Sequence, residues 1–323
     1  MKAEISWKEL VPALLALLPI LLGFWVSGNL QLFDVGLISI ALLIARDRLH
    51  LGFYWISLHY VAILVGFSIL YFSFPYFGLF VPLVGFMAFA SVYFIRHGAQ
   101  LRTLGNYTFI PALYLSCELR SGLSPLPHPM TICWHFMVLS LIAYLSVIAL
   151  TAAVGRLFHE KMNPGIAHKE WLPAALSIFF STGIAAAWVL FFHIQKGEWM
   201  IWSAASVITL DLQSAKVKLG QRSFGIFLGV PLGLAIAYFL PKTPLMYAIA
   251  MTGVMLSLLA FKRYTLAFMV RCTLIAVAAY VATAAAGIAL DRILNVLFGG
   301  VIGLICFYVC NHGLRRLRCL KLH

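Results

Sequence analysis

Only 10% of the 323 residues are charged, so the few ionisable side chains that fall inside or beside apolar runs are the ones whose chemistry must be explained. An ionisable group in hydrocarbon is costly unless it meets water, a partner or a ligand. Arg271 lies midway through LAFMVRCTLIAV, with uncharged neighbours on both sides. It reads either as an anion-binding or gating residue in a water-filled pathway or as half of an internal ion pair. Arg222 precedes an apolar run, and Arg292 begins another; both can draw an anion or snorkel to a polar interface. Asp211, in VITLDLQSAK, reads as a carrier of a coupling proton, a counter-charge for an arginine such as Arg222, or a helix-end carboxylate. His59 and His135 stand in apolar runs, where imidazole can relay protons near neutral pH or serve as a hydrogen-bonded packing residue.

Chemistry that makes or breaks bonds finds no foothold in the motifs. The chain has no HExxH, GxSxG or P-loop and no paired aspartates for a pyrophosphate-bound magnesium ion. The six cysteines make no CxxC or Cys/His metal spacing. The expectation is a protein that is no enzyme and needs no metal or cofactor. Cys306 and Cys310, one helical turn apart, read as small packing residues, and a Cys117–Cys133 disulfide stays open because spacing alone cannot show their separation.

The elements that must position these residues are membrane helices. Hydrophobic residues make up 63% of the chain, and mean hydropathy is +0.98, far from the balance of a water-soluble domain. A span takes about 20 apolar residues. Apolar runs bounded by charged, Pro, Gly or Asn punctuation predict twelve: 10–28, 32–46, 52–72, 76–95, 103–119, 132–155, 171–193, 199–214, 223–240, 244–261, 264–286 and 292–311. The first is expected to be a span rather than a cleaved signal, having Lys2 and Lys8 in front but no small-x-small cleavage site.

A net charge of +13 suggests nucleic acid until the basic residues are placed. With the N-terminus inside, eighteen of the 23 fall on inner segments, four (Arg120, Lys196, Lys242 and Arg292) on outer ones, and Arg271 within a span. That asymmetry is the positive-inside pattern and argues for an even number of spans with both termini cytoplasmic. No nucleic-acid partner is expected.

The chain also repeats. Lys8-Glu9-Leu10-Val11-Pro12-Ala13 opens the first span and Lys169-Glu170-Trp171-Leu172-Pro173-Ala174 the seventh, and Asp47 and Asp211 echo each other at the ends of spans two and eight. Six spans separate the two openings, so the halves share one orientation, as parallel repeats do. The predicted architecture is therefore an all-α polytopic protein of about twelve spans. It comprises a first six-helix repeat (1–155), a cytoplasmic linker (156–168), and a second six-helix repeat (169–323) ending in a basic tail. Inside the second repeat, RSFGIFLGVPLG sets Gly225, Gly229 and Gly233 on one helical stripe, and Gly299 and Gly303 make a second stripe below Arg292. Such stripes let helices pack nearly backbone to backbone, a main source of association in lipid.

These residues carry a resemblance. Trp199-x-x-Trp202 opening a span, a polar turn ending in Gln221-Arg222, and then Gly225, Gly229 and Gly233 resemble the R-x-x-G-T-x-x-G signature of the fusaric acid resistance-like family, which includes the aromatic acid exporters. Arg292 with Gly299 is similar to the arginine-and-glycine pattern of that family's sixth span. Ile226 stands where the family has threonine, and the large cytosolic domains of many members have no counterpart here. The resemblance implies a short-form exporter of small organic, aromatic or carboxylate anions in a bacterial inner membrane. It also implies the help of a periplasmic adaptor subunit; the residues expected to draw the anion are Arg271, Arg292 and Arg222. A more distant similarity to the aluminium-activated malate channels, where two six-span subunits form one anion pathway, fits the tandem halves. Proton coupling through Asp211, His59 or His135, passive conduction, homo-oligomerisation and a non-transporting role in a larger assembly all stay open.

Overall fold

The computed structural model describes residues 4–121, 128–158, 162–168 and 171–320. It contains twelve α-helices: α1 Trp7–Ser27, α2 Gln31–Leu49, α3 Phe53–Ser73, α4 Phe77–Tyr93, α5 Leu101–Ser121, α6 Pro129–Ala153, α7 Leu172–Phe191, α8 Glu198–Val207, α9 Leu212–Phe239, α10 Pro244–Leu256, α11 Tyr264–Thr283 and α12 Gly287–Leu320. Among the described residues β-structure is limited to an isolated bridge between Ile5 and Phe261.

Eight of the twelve, α1, α3, α4, α6, α7, α9, α11 and α12, are long and apolar enough to cross a bilayer. The other four depart from the twelve spans expected. α8 has 10 residues and α10 has 13, which at 1.5 Å per residue makes them about 15 and 20 Å long, short of a hydrocarbon core of roughly 30 Å. α2 carries Asp34, Arg46, Asp47 and Arg48, and α5 carries Arg102, Glu118 and Arg120. α2 compensates by being buried along nearly its whole length, from Leu32 to Arg46 and at Leu49, while Asp47 is half-buried and Arg48 exposed at its end.

Hydropathy also misplaces helix ends. Span nine was expected to begin at residue 223, but α9 begins at Leu212. Its first turns, LQSAKVKLGQR, are polar, and polarity does not stop backbone hydrogen bonds from forming. Arg222 thus lies three turns inside a helix, and Arg292 lies in the second turn of α12.

The outward faces are apolar, which inverts the pattern of a water-soluble helix. On α1, Trp7, Val11, Leu14, Leu18, Leu22 and Trp25 are exposed at three- and four-residue steps, while Ala13, Ala16, Leu17, Ile20 and Phe24 are buried on the opposite side. α3 repeats this with Tyr54, Leu58, Val61, Val65 and Ile69, and α9 with Phe224, Leu228, Leu232 and Ile236. These stripes are where lipid tails meet the protein. Multiple helices of this kind make the chain a multi-pass membrane protein.

The chain divides into two compact units, one formed by Met1–Leu64, Pro125–Asn163 and Phe224–Ile293, the other by Val65–Ser124, Pro164–Ser223 and Leu294–His323. In the first, α1, α2 and α6 pack on one another, and α10 packs on α11, α2 and α1. The segment before α1 is tied down by Ser6 donating to Ala260 (2.8 Å) and Lys262 to Glu4 (3.1 Å), with Arg263 paired to Glu4 at 3.0 Å. In the second, α4 packs on α7 and α5, and α8 on α7 and α5, around a core that includes Phe80, Val84, Ala88, Phe109, Ile178, Ala185, Ile201 and Phe307. Lys196 and Glu118 pair there at 2.6 Å, and Asn295 donates to the carbonyls of Gln195 (3.0 Å) and Lys196 (3.3 Å). Cys117 and Cys133 are both buried, and no disulfide joins them.

Each unit contains one glycine seam. In the first, a Cβ placed on Gly229 would stand 2.5 Å from the Met269 carbonyl and 2.9 Å from Cys272 Cβ, and one on Gly233 would press on Thr273 and lie 2.8 Å from Ala276 Cβ. Gly225 likewise abuts Phe268 and Met269, so all three face the backbone of α11. In the second, a Cβ placed on Gly299 or Gly303 would run into the carbonyl of Met200 or Ala204 on α8, the latter at 2.5 Å. Gly229→Leu should lower stability by about 1–3 kcal/mol through overpacking. Gly220→Ala, with nothing within 4 Å of the added methyl, should leave stability unchanged or raise it by up to about 1 kcal/mol. Thermal unfolding of the detergent-solubilised protein followed by tryptophan fluorescence checks both.

Candidate functional site

A helix that ends buried within the protein leaves carbonyls that water cannot reach, and each one left without a partner costs about 1–3 kcal/mol. The two short helices meet this problem in the same way. α10 ends at Leu256 with Ser257 as its C-cap, and Arg271, two turns into α11, reaches back to it. The Arg271 Nε donates to Ser257 Oγ at 3.0 Å and its Nη2 to the Ser257 carbonyl at 3.0 Å. The guanidinium therefore sits at the negative end of the α10 dipole, and the residue is only 8% exposed. α8 ends at Val207, and its C-cap Ile208 is extended. The carbonyl of Ile208 accepts a hydrogen bond from Arg102 Nη2, at the start of α5. Two arginines from two other helices thus cap the two helices that fall short.

The break after α8 also relocates Asp211. Expected late in span eight, it stands in the segment between α8 and α9, exposed to solvent. Val207, Ile208 and Thr209 are β-branched and poor helix formers. The Thr209 hydroxyl donates to the Asp211 carbonyl at 2.6 Å, a local bond of the kind that competes with helix. Asp211 Oδ1 accepts from the Ser214 backbone N–H at 2.8 Å, which makes it the N-terminal cap of α9. Its hydrogen bonds to the side chain and then the backbone of Ser214 hold the carboxyl below the usual carboxylate range.

Arg222 and Arg292 are 4% and 2% exposed, so neither snorkels. Arg222 lies one turn beyond Lys218 on α9, and i,i+4 residues share a face. Lys218 is partly buried on that face. Arg271 and Arg292 belong to the first unit. His59 is buried on α3, flanked by a polar ladder to α6. In that ladder Ser57 Oγ and Tyr144 Oη are 2.7 Å apart, Tyr60 Oη and Ser140 Oγ are 2.6 Å apart, and the two tyrosine rings stack at 4.8 Å. His135 is exposed on the outward face of α6 beside Trp134. The echo between Asp47 and Asp211 does not extend to their work, since Asp47 pairs with the buried Arg46 at 2.8 Å.

Arg102 and Ser257 escaped sequence reading as site residues. Arg102 differs in no way, along the chain, from other basic residues at span ends, and a serine among apolar residues carries no signal for the arginine fourteen positions away that it meets.

A multi-pass membrane protein with arginines buried in its helices is the class that fold and site define. Residues 184–306 match the fusaric acid resistance protein-like family. The matched stretch runs from the end of α7 into α12 and contains Arg222, Arg271, Arg292 and both glycine seams. No curated protein and no solved structure matches the chain significantly.

Two outcomes follow. Arg271→Ala should destabilise the protein by about 3 kcal/mol, because charge-assisted bonds are lost and a buried carbonyl is left open, whereas Ser257→Ala, which keeps that carbonyl bonded, should cost about 1 kcal/mol. Unfolding midpoints at neutral pH measure both. Asp211→Ala should lower the midpoint at pH 7. Because the folded-state carboxyl is depressed, its contribution is present above the unfolded value of about 4 and is lost as pH falls through the lower folded value. The two melting curves should therefore converge under acid.

Proposed function

We propose that the protein exports small organic anions, carboxylates or aromatic acids, across a bacterial inner membrane. The observation that carries this reading is the burial of Arg222, Arg271 and Arg292 in helices apolar enough to span a bilayer, since intramembrane cations cluster where an anion or an ion pathway needs them. The match of residues 184–306 to the fusaric acid resistance protein-like family supports transport as the activity. In this reading the guanidinium groups supply the positive potential that draws the anion, and no bond in the substrate is made or broken. Asp211, ionised and locally held, suits a fixed cap better than a proton carrier, which leaves His59, beside the Ser57–Tyr144 and Tyr60–Ser140 ladder, as the better candidate for coupling.

The same proposal includes the tandem arrangement, with both termini cytoplasmic. Its support is that the first unit takes α1, α2 and α6 with α10 and α11, while the second takes α7, α8 and most of α12 with α4 and α5. Under a six-helix repeat these are corresponding sets, and α3 and α9, which correspond, are both divided between units, as is the first part of α12. A periplasmic adaptor subunit and self-association are further parts of the proposal, for which the family resemblance is the only support.

Counterflow of labelled benzoate and related acids in proteoliposomes, with and without a pH gradient, tests the activity. Flux above protein-free liposomes is expected, falling about tenfold or more in folded Arg292→Gln and Arg222→Gln protein, as loss of one charge-assisted contact implies. Dependence on the pH gradient would mark coupled export, indifference to it a passive channel, and no flux for any acid would remove the transport reading.

A further inference from the structure

In the second unit two spans end side by side. The apolar run of α4 closes at Arg96, in the single 3-10 turn Phe94–Arg96, and that of α7 opens at Leu172. α4 packs on α7, so the residues at these two ends lie where hydrocarbon gives way to headgroups. Tyr and Trp favour that level, because each ring has an apolar body and a polar tip. Here they form a cluster, with the Trp171 ring edge-on to Tyr93 at 5.0 Å and to Phe89 at 6.2 Å. Arg96 lies over it. Its guanidinium carbon is 4.9 Å from the Tyr93 ring centroid, and its Nη1 donates to the Tyr93 hydroxyl. Stacking holds the planar fork in one orientation, the Tyr93 bond takes one N–H of that fork, and the side chain is exposed.

A second segment fixes the chain around Arg96. The His168 N–H donates to the Ile95 carbonyl at 3.1 Å, and the N–H groups of Ala99 and Gln100 donate to the carbonyls of Ile166 (2.9 Å) and Pro164 (3.0 Å). Gly98 permits this approach, since a Cβ there would run into the Pro164 carbonyl. The paired segments carry two uncovered apolar side chains, Ile166 at 87% and Phe94 at 47% exposure, an arrangement that suits the boundary between headgroups and acyl chains. We propose that Arg96, held over Tyr93, binds the phosphate of an anionic phospholipid whose chains lie against Phe94 and Ile166. A guanidinium fork matches two phosphate oxygens. His97, next to Arg96, and His168, tied to Ile95, are also exposed and add imidazole N–H donors. Phosphatidylglycerol fits better than phosphatidylcholine, whose own choline cation competes with the arginine for the phosphate. The site goes beyond the export reading and does not rest on it.

Phosphatidylglycerol titrated into the delipidated protein, in a non-ionic detergent at constant ionic strength, should raise the melting midpoint saturably, and phosphatidylcholine should do so only at higher concentration. Arg96→Gln should raise the half-saturating phosphatidylglycerol concentration about tenfold or more, as loss of a charge-assisted contact implies. Tyr93→Leu, which removes the ring that orients the guanidinium, should weaken binding in the same direction. Tyr93→Phe, which loses only the hydroxyl bond, should weaken it less, and it supplies the test should Tyr93→Leu not yield folded protein. Arg156→Gln, which alters an exposed arginine of the other unit, should change nothing. Equal response to the two lipids, no saturable shift, or an unchanged titration in Arg96→Gln overturns the site. Glycerol 3-phosphate, a headgroup without chains, should give no saturable shift at the same concentrations; a response matching that of the lipid would overturn the lipid as occupant. Binding is the whole readout, so absent benzoate flux leaves this site standing, and absent lipid binding leaves the export reading standing.

Discussion

A carbonyl without water is the constraint on which this structure turns. In the hydrocarbon every backbone group must find its partner within the protein, yet α8 and α10 both stop after distances too short to cross. Arg102 and Arg271 close those two ends by donating to Ile208 and Ser257. Guanidinium groups suit the task because they bring both the hydrogen and the positive charge that a helix C-terminus favours. The two most expensive kinds of group in a membrane, a buried cation and an unfinished helix, thereby offset each other.

Association of the helices rests on a different term. Lipid tails are as apolar as leucine, so burial alone gives helices little reason to leave them, and close van der Waals contact must supply the attraction. The seams at Gly225, Gly229 and Gly233 against α11, and at Gly299 and Gly303 against α8, bring backbones to distances no side chain would allow. Both seams run along a helix that also carries a buried arginine, Arg222 on α9 and Arg292 on α12. Tight packing of this kind excludes water beside the charge, which strengthens any electrostatic interaction the charge makes.

Short helices also create junctions. Where α8 gives way to Ile208–Asp211, Arg102 at the start of α5 is brought against the α8 terminus. Had α8 continued to residue 214, as hydropathy suggests, the Ile208 carbonyl would have bonded within its own helix and Arg102 would have had no anchor. The β-branched run at Val207–Thr209 and the Asp211–Ser214 cap are the local chemistry that opens this junction.

Much of the plan was legible along the chain, because it depends on sums over neighbouring residues. Mean hydropathy, apolar run lengths and the four-residue spacing of glycines and outward-facing side chains are one-dimensional quantities, so membrane residence, twelve helices and the two packing stripes could be read directly, as could the oddity of Arg222, Arg271 and Arg292 within apolar surroundings. What tertiary structure alone decided is which group each of those residues meets. That Arg271 reaches Ser257, that Arg102 reaches Ile208 across more than a hundred positions and that His135 faces outward all depend on how separate segments pack, whereas the Asp211 cap is a local bond. Helix termini belong with them, since a polar stretch such as 212–222 scores as a loop in hydropathy while its backbone is free to form hydrogen bonds, and only the packing around it determines that it does.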